Sequence, residues 1–199
     1  MASQKHIVVI GAGVGGTATA ARLAKQGFRV TVVEKNDFSG GRCSLIYNDG
    51  HRFDQGPSLY LMPKIFEEAF ADLDEKLEDH IELLKCENNY KVHFHDGDSI
   101  HLSSDLVRMK KEIERYEGEG EKPFLNYLRF LSESHVHYER SLIMALKRNF
   151  EAWYEMFQPK YAPEVFHLHL FHKVYSRAAK YFQSKKMRMA FTFQSMYMG

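Results

Sequence analysis

The apolar positions of the chain fall into short runs of differing period, and each period predicts an element. Residues 6 to 10, His-Ile-Val-Val-Ile, form a β-branched run without alternation, which suits a strand buried on both faces of a parallel sheet. The alanine-rich stretch Thr17 to Gln26 reads as a helix that stops at Gly27, a natural residue for the left-handed position beyond a helix end. A second buried strand is expected over Arg29 to Glu34. Residues 43 to 54 hold two short extended runs about Asn48-Asp49-Gly50, a hairpin signal. Behind Pro63, a suitable first helical residue, Ile65, Phe66, Ala69, Phe70 and Leu73 share one helical face, predicting a helix over 63–73. Lys91 to His95 and Ser99 to Leu102 flank Asp96-Gly97-Asp98 and predict a second hairpin. The stretch from Asp105 then sets Leu106, Met109, Ile113 and Tyr116 at helical spacing. The Gly-Glu-Gly-Glu run at 118–121 is the best internal break, and neither repeats nor low-complexity linkers occur.

With 199 residues, 44% of them hydrophobic and 27% charged, the chain is long enough for one domain or a little more and is expected to fold around a core. A net charge of +1 gives no reason to propose a nucleic-acid partner. It hides an asymmetry: residues 1–139 hold 17 basic and 23 acidic residues, a balance of −6, whereas 140–199 hold 10 and 3, a balance of +7. Cys43 and Cys86 are the only cysteines and form no C-x-x-C pair, which fits a reducing, intracellular compartment. The uncharged run 7–21 is interrupted by four glycines and preceded by one positive charge, so it reads neither as a signal peptide nor as a spanning helix of about 20 apolar residues.

The chemistry is concentrated where the first strand meets the first helix. Gly-Ala-Gly-Val-Gly-Gly follows the strand directly, and Gly11, Gly13 and Gly16 fit G-x-G-x-x-G. The first glycine permits the tight turn, the second lets a pyrophosphate approach the backbone, and the third lets the helix pack on the strand. Free N–H groups at the helix start then face the phosphates. Glu34 lies 18 residues after Gly16 at the expected end of the second strand, where a carboxylate can accept bonds from ribose hydroxyls and repel a 2′-phosphate. FAD and NAD share such a unit. Gly40, Gly41 and Arg42 supply a second close-approach loop with a fixed cation, which favours FAD and leaves NAD as the alternative.

The order of G-A-G-V-G-G, V-V-E-K, S-G-G-R and H-R-F-D-Q-G-P-S resembles the bacterial and fungal type of phytoene desaturase, within the wider FAD-dependent amine oxidase and carotenoid desaturase superfamily. The resemblance continues through N-N-Y-K-V-H-F-H-D-G and K-M-R-M-A-F-T-F-Q-S-M-Y-M-G, and is nearest to the fungal proteins. It implies an α/β fold: the N-terminal part of a Rossmann-like FAD/NAD(P)-binding domain over 1–88, with an incomplete sheet, and the beginning of an α+β substrate- and membrane-associated domain over 89–199. Full-length members run to several hundred residues, so the chain is expected to be an N-terminal portion with little activity alone. By resemblance Gly11, Gly13, Gly15 and Gly16 surround the FAD pyrophosphate, Glu34 and Lys35 attend the adenosine ribose, and Gly40, Gly41 and Arg42 continue the flavin contact. Asp54, Gln55 and Gly56 lie near the flavin or the substrate channel, or are simply turn residues after a hairpin. The implied chemistry is removal of two hydrogens from an unactivated bond of phytoene, extending its conjugation towards lycopene or a related polyene; no residue is assigned as catalytic. A carotenoid isomerase, a retinol saturase-like enzyme, an amine oxidase and a non-catalytic binding fragment are the alternatives.

Histidine pairs at 93/95, 135/137 and 167/169 are not read as a metal site, because the helical pairs point apart and no third ligand has suitable spacing. The last third is basic and aromatic, including Trp153, Tyr154, Phe157, Tyr161, Phe166 and Phe171 beside Lys173, Arg177, Lys180, Lys185, Lys186 and Arg188. Such a surface suits either peripheral contact with anionic lipid, through which an isoprenoid substrate enters, or a solvated basic face over an aromatic core.

Overall fold

The computed structural model describes residues 4–57, 59–86, 88–152, 154–155, 158–161, 168–169 and 171–198. Among the basic and aromatic residues named above, Trp153, Phe157 and Phe166 therefore lie outside the described residues, as does His167. The chain divides into two units, Met1–Leu84 and Lys85–Gly199.

In the first unit, β1 (His6–Ile10) and β2 (Arg29–Val33) pair in parallel with His6 opposite Arg29 and Ile10 opposite Val33, joined by α1 (Val14–Lys25). The β-branched runs form strands, and the small residues of α1 let the helix lie against both. Gly27, at φ +87°, reverses the chain after the helix as expected. Arg22 and Lys25 complement the negative end of α1. They reach forward, Arg22 to the Asp72 carboxylate at 2.7 Å and Lys25 to the Asp72 carbonyl at 2.9 Å. The strands are not buried on both faces. Val8, Ile10 and Val33 are 55%, 89% and 50% exposed, because α1 covers only one side of this two-stranded sheet among the described residues.

After a tight 3-10 turn (Gly41–Cys43), β3 (Leu45–Asn48) and β4 (His51–Asp54) make the first predicted hairpin. Its two-residue loop holds Asp49 and Gly50 at φ +47° and +78°, the backbone that this loop length demands. The helix α2 (Pro63–Ala71) follows with Pro63 in its first turn and the predicted apolar stripe half-buried. Phe66 lies 4.2 Å from Tyr60 between ring centres.

The second unit opens with β5 (Tyr90–His93) antiparallel to β6 (Ser99–Leu102), followed by α3 (Leu106–Glu117), α4 (Glu121–Ser141), a π-helical turn (Leu142–Leu146), α5 (Val174–Ala178) and α6 (Lys185–Ala190). Asp105 caps α3, its carboxylate accepting from the N–H groups of Val107 and Arg108 at 2.8 and 3.2 Å. The core gathers Ile100 and Leu102 of the hairpin, Met109 and Ile113 of α3, Tyr127 of α4, Ala178, Phe182, and Met187 and Ala190 of α6. Phe182 stacks on Phe191 at 4.9 Å with planes 8° apart, and Phe130 meets both edge-on. Leu106, expected on the packed stripe, stands 47% exposed in the first turn of α3. The expected break at 118–121 is instead a short reversal, with Gly118 and Gly120 at positive φ, between two helices that pack together.

Polar straps close this core. Asp98 accepts from Lys186 at 2.7 Å and from the Tyr116 hydroxyl at 2.9 Å, tying the hairpin to α6 and α3. The Lys186 and Tyr116 bonds outweigh burial and hold the Asp98 carboxyl well below the usual range, while burial and Asp98 push Tyr116 up to about 12. Glu117 accepts the N–H groups of Gln183 and Ser184, both at 2.8 Å, at the start of α6. No helix among the described residues is long and apolar enough to cross a membrane.

Phe182 is fully buried at the centre of this aromatic cluster. Phe182→Ala is expected to lower stability by about 3–5 kcal/mol, read by urea unfolding of the full chain.

Candidate functional site

The glycines at the β1–α1 junction do different work. Gly11 stands at φ +100° and donates its N–H to the Val33 carbonyl at 2.7 Å, closing the end of β1 onto the end of β2. A Cβ on Gly16 would lie 1.9 Å from the Gly11 carbonyl oxygen, so only glycine lets α1 begin this close to the turn. Gly13 and Gly15 differ: a Cβ on either meets nothing within 4 Å. Gly13 precedes α1 in an extended conformation, and no side chain caps the helix or places an acid in its first turn. The positive end of α1 thus opens onto the glycine loop with no acid in its own first turn, a fit to an anionic diphosphate.

Glu34 follows β2 and turns back to this loop. One carboxylate oxygen accepts the Ala12 N–H at 2.7 Å; the other accepts the Asn36 N–H at 3.0 Å and its side-chain amide at 2.9 Å. The Ala12 bond, then the Asn36 bond, hold the carboxyl below its ordinary 4.5, so the group is ionised at neutral pH. Lys35 beside it is exposed.

The second glycine loop lies directly against the first. Gly40, at φ +101°, donates its N–H to the Ala12 carbonyl at 2.8 Å and bridges Gly13. A Cβ on Gly41, itself at φ +59°, would stand 3.2 Å from the Gly13 Cα. Arg42 follows in the 3-10 turn and is exposed. The end of the hairpin then closes on that turn: Gln55 donates its N–H to the Ser44 carbonyl at 3.1 Å, the buried Ser44 hydroxyl donates to the Gln55 side-chain oxygen at 2.5 Å, and a Cβ on Gly56 would lie 2.1 Å from the Arg42 carbonyl. Asp54, exposed, ends β4 opposite Leu45.

The structure therefore brings Gly11, Gly13, Gly16, Glu34, Gly40, Gly41, Arg42 and Gly56 into one continuous neighbourhood and leaves Lys35 and Asp54 at its exposed rim. Sequence reasoning missed Asn36, which orients the Glu34 carboxylate, and Ser44. An asparagine two residues beyond a strand-terminal acid is a readable signal for local side-chain bonding; Ser44 carries none. A cleft of about 470 Å³ between α1 and α2, walled by Val14, Ala18, Phe66 and Phe70, reaches Gly40 and Cys43.

The second unit holds another titratable cluster, in which Glu133 accepts from Arg177 and Tyr181 and faces His169 at 3.7 Å. Burial would raise the Glu133 carboxyl, but the Arg177 and Tyr181 bonds lower it; burial, then Arg177, lowers His169. The described residues contain no group of three histidine, cysteine or acidic side chains placed to hold a metal.

Residues 9–75 match the family described as NAD(P)-binding Rossmann-like domain, which fits a dinucleotide cofactor. Over all 199 residues the chain is 68% identical to the phytoene desaturase of Phycomyces blakesleeanus, covering 34% of that protein. It is 54% identical over 197 residues to the phytoene desaturase of Fusarium fujikuroi, covering 98% of this chain and 34% of the relative. The zeta-carotene-forming phytoene desaturase of Myxococcus xanthus is 40% identical over 195 residues, with 98% of this chain and 37% of the relative covered. The chain spans about a third of the length of these relatives and matches their N-terminal part.

Two outcomes follow from the geometry. Gly16→Ala, which sets a Cβ on the Gly11 carbonyl, is expected to cost about 1–3 kcal/mol or more in urea unfolding. Because the folded Glu34 carboxyl titrates below its ordinary value, its stabilising contribution is complete above about pH 4.5 and disappears as pH falls through the lowered value. Glu34→Gln should flatten that part of the acid limb in a comparison of unfolding curves across pH.

Proposed function

We propose that this chain holds FAD for dehydrogenation of a carotenoid precursor, phytoene converted towards lycopene or a related polyene. The observation that carries the reading is the closure of two glycine loops at the uncapped N-terminus of α1, in a chain 68% identical throughout to a phytoene desaturase. Gly11, Gly13, Gly15 and Gly16 form the diphosphate cradle, with the positive end of α1 offsetting the phosphate charge. Glu34, positioned by Asn36 and flanked by Lys35, accepts from the adenosine ribose. Gly40, Gly41 and Arg42 extend the same surface along the cofactor, with Asp54 and Gly56 at its edge. A bound flavin supplies a two-electron acceptor for hydrogens leaving adjacent carbons.

Residues 1–88 are assigned to cofactor binding and 89–199 to the start of the substrate side. The substrate is a hydrocarbon, so its recognition rests on apolar contact and exclusion of water rather than on polar pairing. Peripheral contact with anionic lipid is part of the proposal. Its support is the exposure of Ile143, Leu146 and Phe171 at 66%, 60% and 89% in the stretch that carries the +7 balance, with Lys173, Lys180 and Lys185 also exposed.

The test grafts this chain in place of the matching third of the Phycomyces blakesleeanus phytoene desaturase and supplies phytoene. A coloured polyene with lengthened conjugation is expected; a folded, flavin-loaded but colourless chimera overturns the substrate assignment. In the chain itself, quenching of flavin fluorescence should report FAD binding that Gly13→Val weakens by about tenfold or more, whereas binding of NAD in preference to FAD would replace the cofactor assignment. Flotation with anionic liposomes at low salt is expected to carry the chain to the lipid layer, and its absence there sinks the membrane contact.

A further inference from the structure

Ser44 and Gln55 have no place in the cofactor cradle described above, yet they are joined more closely than any other side-chain pair near it. Ser44 is the one buried polar residue among the described residues of the first unit, at 6% exposure. Its hydroxyl donates to the Gln55 side-chain oxygen at 2.5 Å while its carbonyl accepts the Gln55 N–H at 3.1 Å. A hydroxyl taken from water this far needs its partner, since an unsatisfied buried donor is costly. The two bonds fasten the end of β4 to the residue just past the 3-10 turn that contains Arg42. On the other side of the same turn, Gly56 packs so closely that a Cβ would lie 2.1 Å from the Arg42 carbonyl. Gly40, at the start of the turn, is bonded to Ala12 at 2.8 Å. The turn is therefore held at its entrance by the first glycine loop and at its exit by the hairpin.

We propose that Ser44 and Gln55 are positioning residues for the cofactor: they form a clamp that sets the backbone of Gly41 and Arg42 against Gly13 and so presents Arg42 to the diphosphate. Gln55 acts through Ser44. Gly56 completes the clamp by allowing the hairpin end to reach the Arg42 carbonyl. The inference rests on the reading of this surface as an FAD site and adds to it the device that orders its second loop.

The reason for a clamp is geometric. Gly40 and Gly41 both stand at positive φ, +101° and +59°, and two adjacent glycines leave a loop with many accessible conformations. An arginine that follows them is poorly placed for a bidentate or directional contact unless something outside the loop restricts it. The hairpin supplies that restriction because its register fixes Gln55 one residue beyond the Leu45–Asp54 pair, opposite Ser44.

The full chain is titrated with FAD, and binding is read by quenching of flavin fluorescence beside melting curves of every variant. Ser44→Ala and Gln55→Met should each weaken binding by roughly two- to tenfold, the range expected for loss of one net hydrogen bond. The double variant should be no weaker than the weaker single, since one bond is lost in each case. Gly56→Ala, acting from the other side, should weaken binding in the same range or more. The deciding arm introduces Arg42→Met: the clamp substitutions should have little further effect on affinity in that background. A purely structural role would weaken binding equally with or without Arg42 and would follow the melting temperature, and that result overturns the clamp. Unchanged FAD affinity in Ser44→Ala and Gln55→Met also overturns it while leaving the FAD reading intact. Failure of the unsubstituted chain to bind FAD, with its fold confirmed by melting, overturns the FAD reading first and the clamp with it.

Discussion

The first unit depends on close backbone approach within and between its two glycine loops. The Gly11 carbonyl lies where a Gly16 Cβ would be, and Gly41 leaves 3.2 Å between its missing Cβ and the Gly13 Cα. A side chain at the first of these points would force α1 away from the turn, and one at the second would crowd Gly13 at a backbone conformation, φ +59°, that favours glycine. Both loops then expose backbone rather than side chains, which is what a diphosphate requires of a surface it must approach to hydrogen-bond distance. The Gly11 N–H also donates to the Val33 carbonyl, which closes the end of the parallel β1–β2 ladder at this turn.

The second unit is organised by burial rather than backbone approach. Phe182, Met187, Met109 and Ile113 are fully enclosed, and the polar groups around them are spent on fastening elements together. Lys186 joins α6 to Asp96 and Asp98 at 2.7 Å each, and Glu117 receives the first N–H groups ahead of the same helix. A helix of six residues has little stability of its own. Here it is held by an aromatic floor beneath and by ion pairs at its flank.

Much of this was legible because it depends on local chemistry. Glycine spacing, a β-branched run and an alanine-rich helix mark β1–α1–β2; Asn48-Asp49-Gly50 sets the hairpin, and Asp105 with Met109 and Ile113 marks α3. What escaped depends on partners distant in sequence. Burial of Val8 and Ile10 is decided by what covers the sheet and not by the residues themselves, so a reading from β-branched composition overstated it. The glycines of 118–121 read as an internal break, yet Gly118 and Gly120 serve a tight reversal between packed helices. Lys186 meets Asp98 across 88 positions, and Ser44 meets Gln55 only because the hairpin register brings them opposite.

The site also resolves an electrostatic conflict that its residues pose. A cradle for a diphosphate needs net positive potential, yet Glu34 places a permanent carboxylate within 2.7 Å of the Ala12 N–H in the same loop. The conflict disappears once the direction of each group is considered. The Ala12 N–H points toward Glu34, so the carboxylate draws on one donor outside the helix and leaves the uncapped turn of α1 uncompensated. Asn36 holds the second carboxylate oxygen from the far side, so its charge stays at the end of β2 rather than swinging into the cradle. Positive potential from α1 and Arg42 and negative potential from Glu34 are thereby kept at separate points of the first unit. On the proposed reading, a dinucleotide would satisfy both at once, phosphates at one point and ribose hydroxyls at the other, whereas a ribose carrying a 2′-phosphate would meet Glu34 with like charge. On the proposed FAD reading, the same carboxylate that orders the loop through Ala12 would also select against a 2′-phosphate.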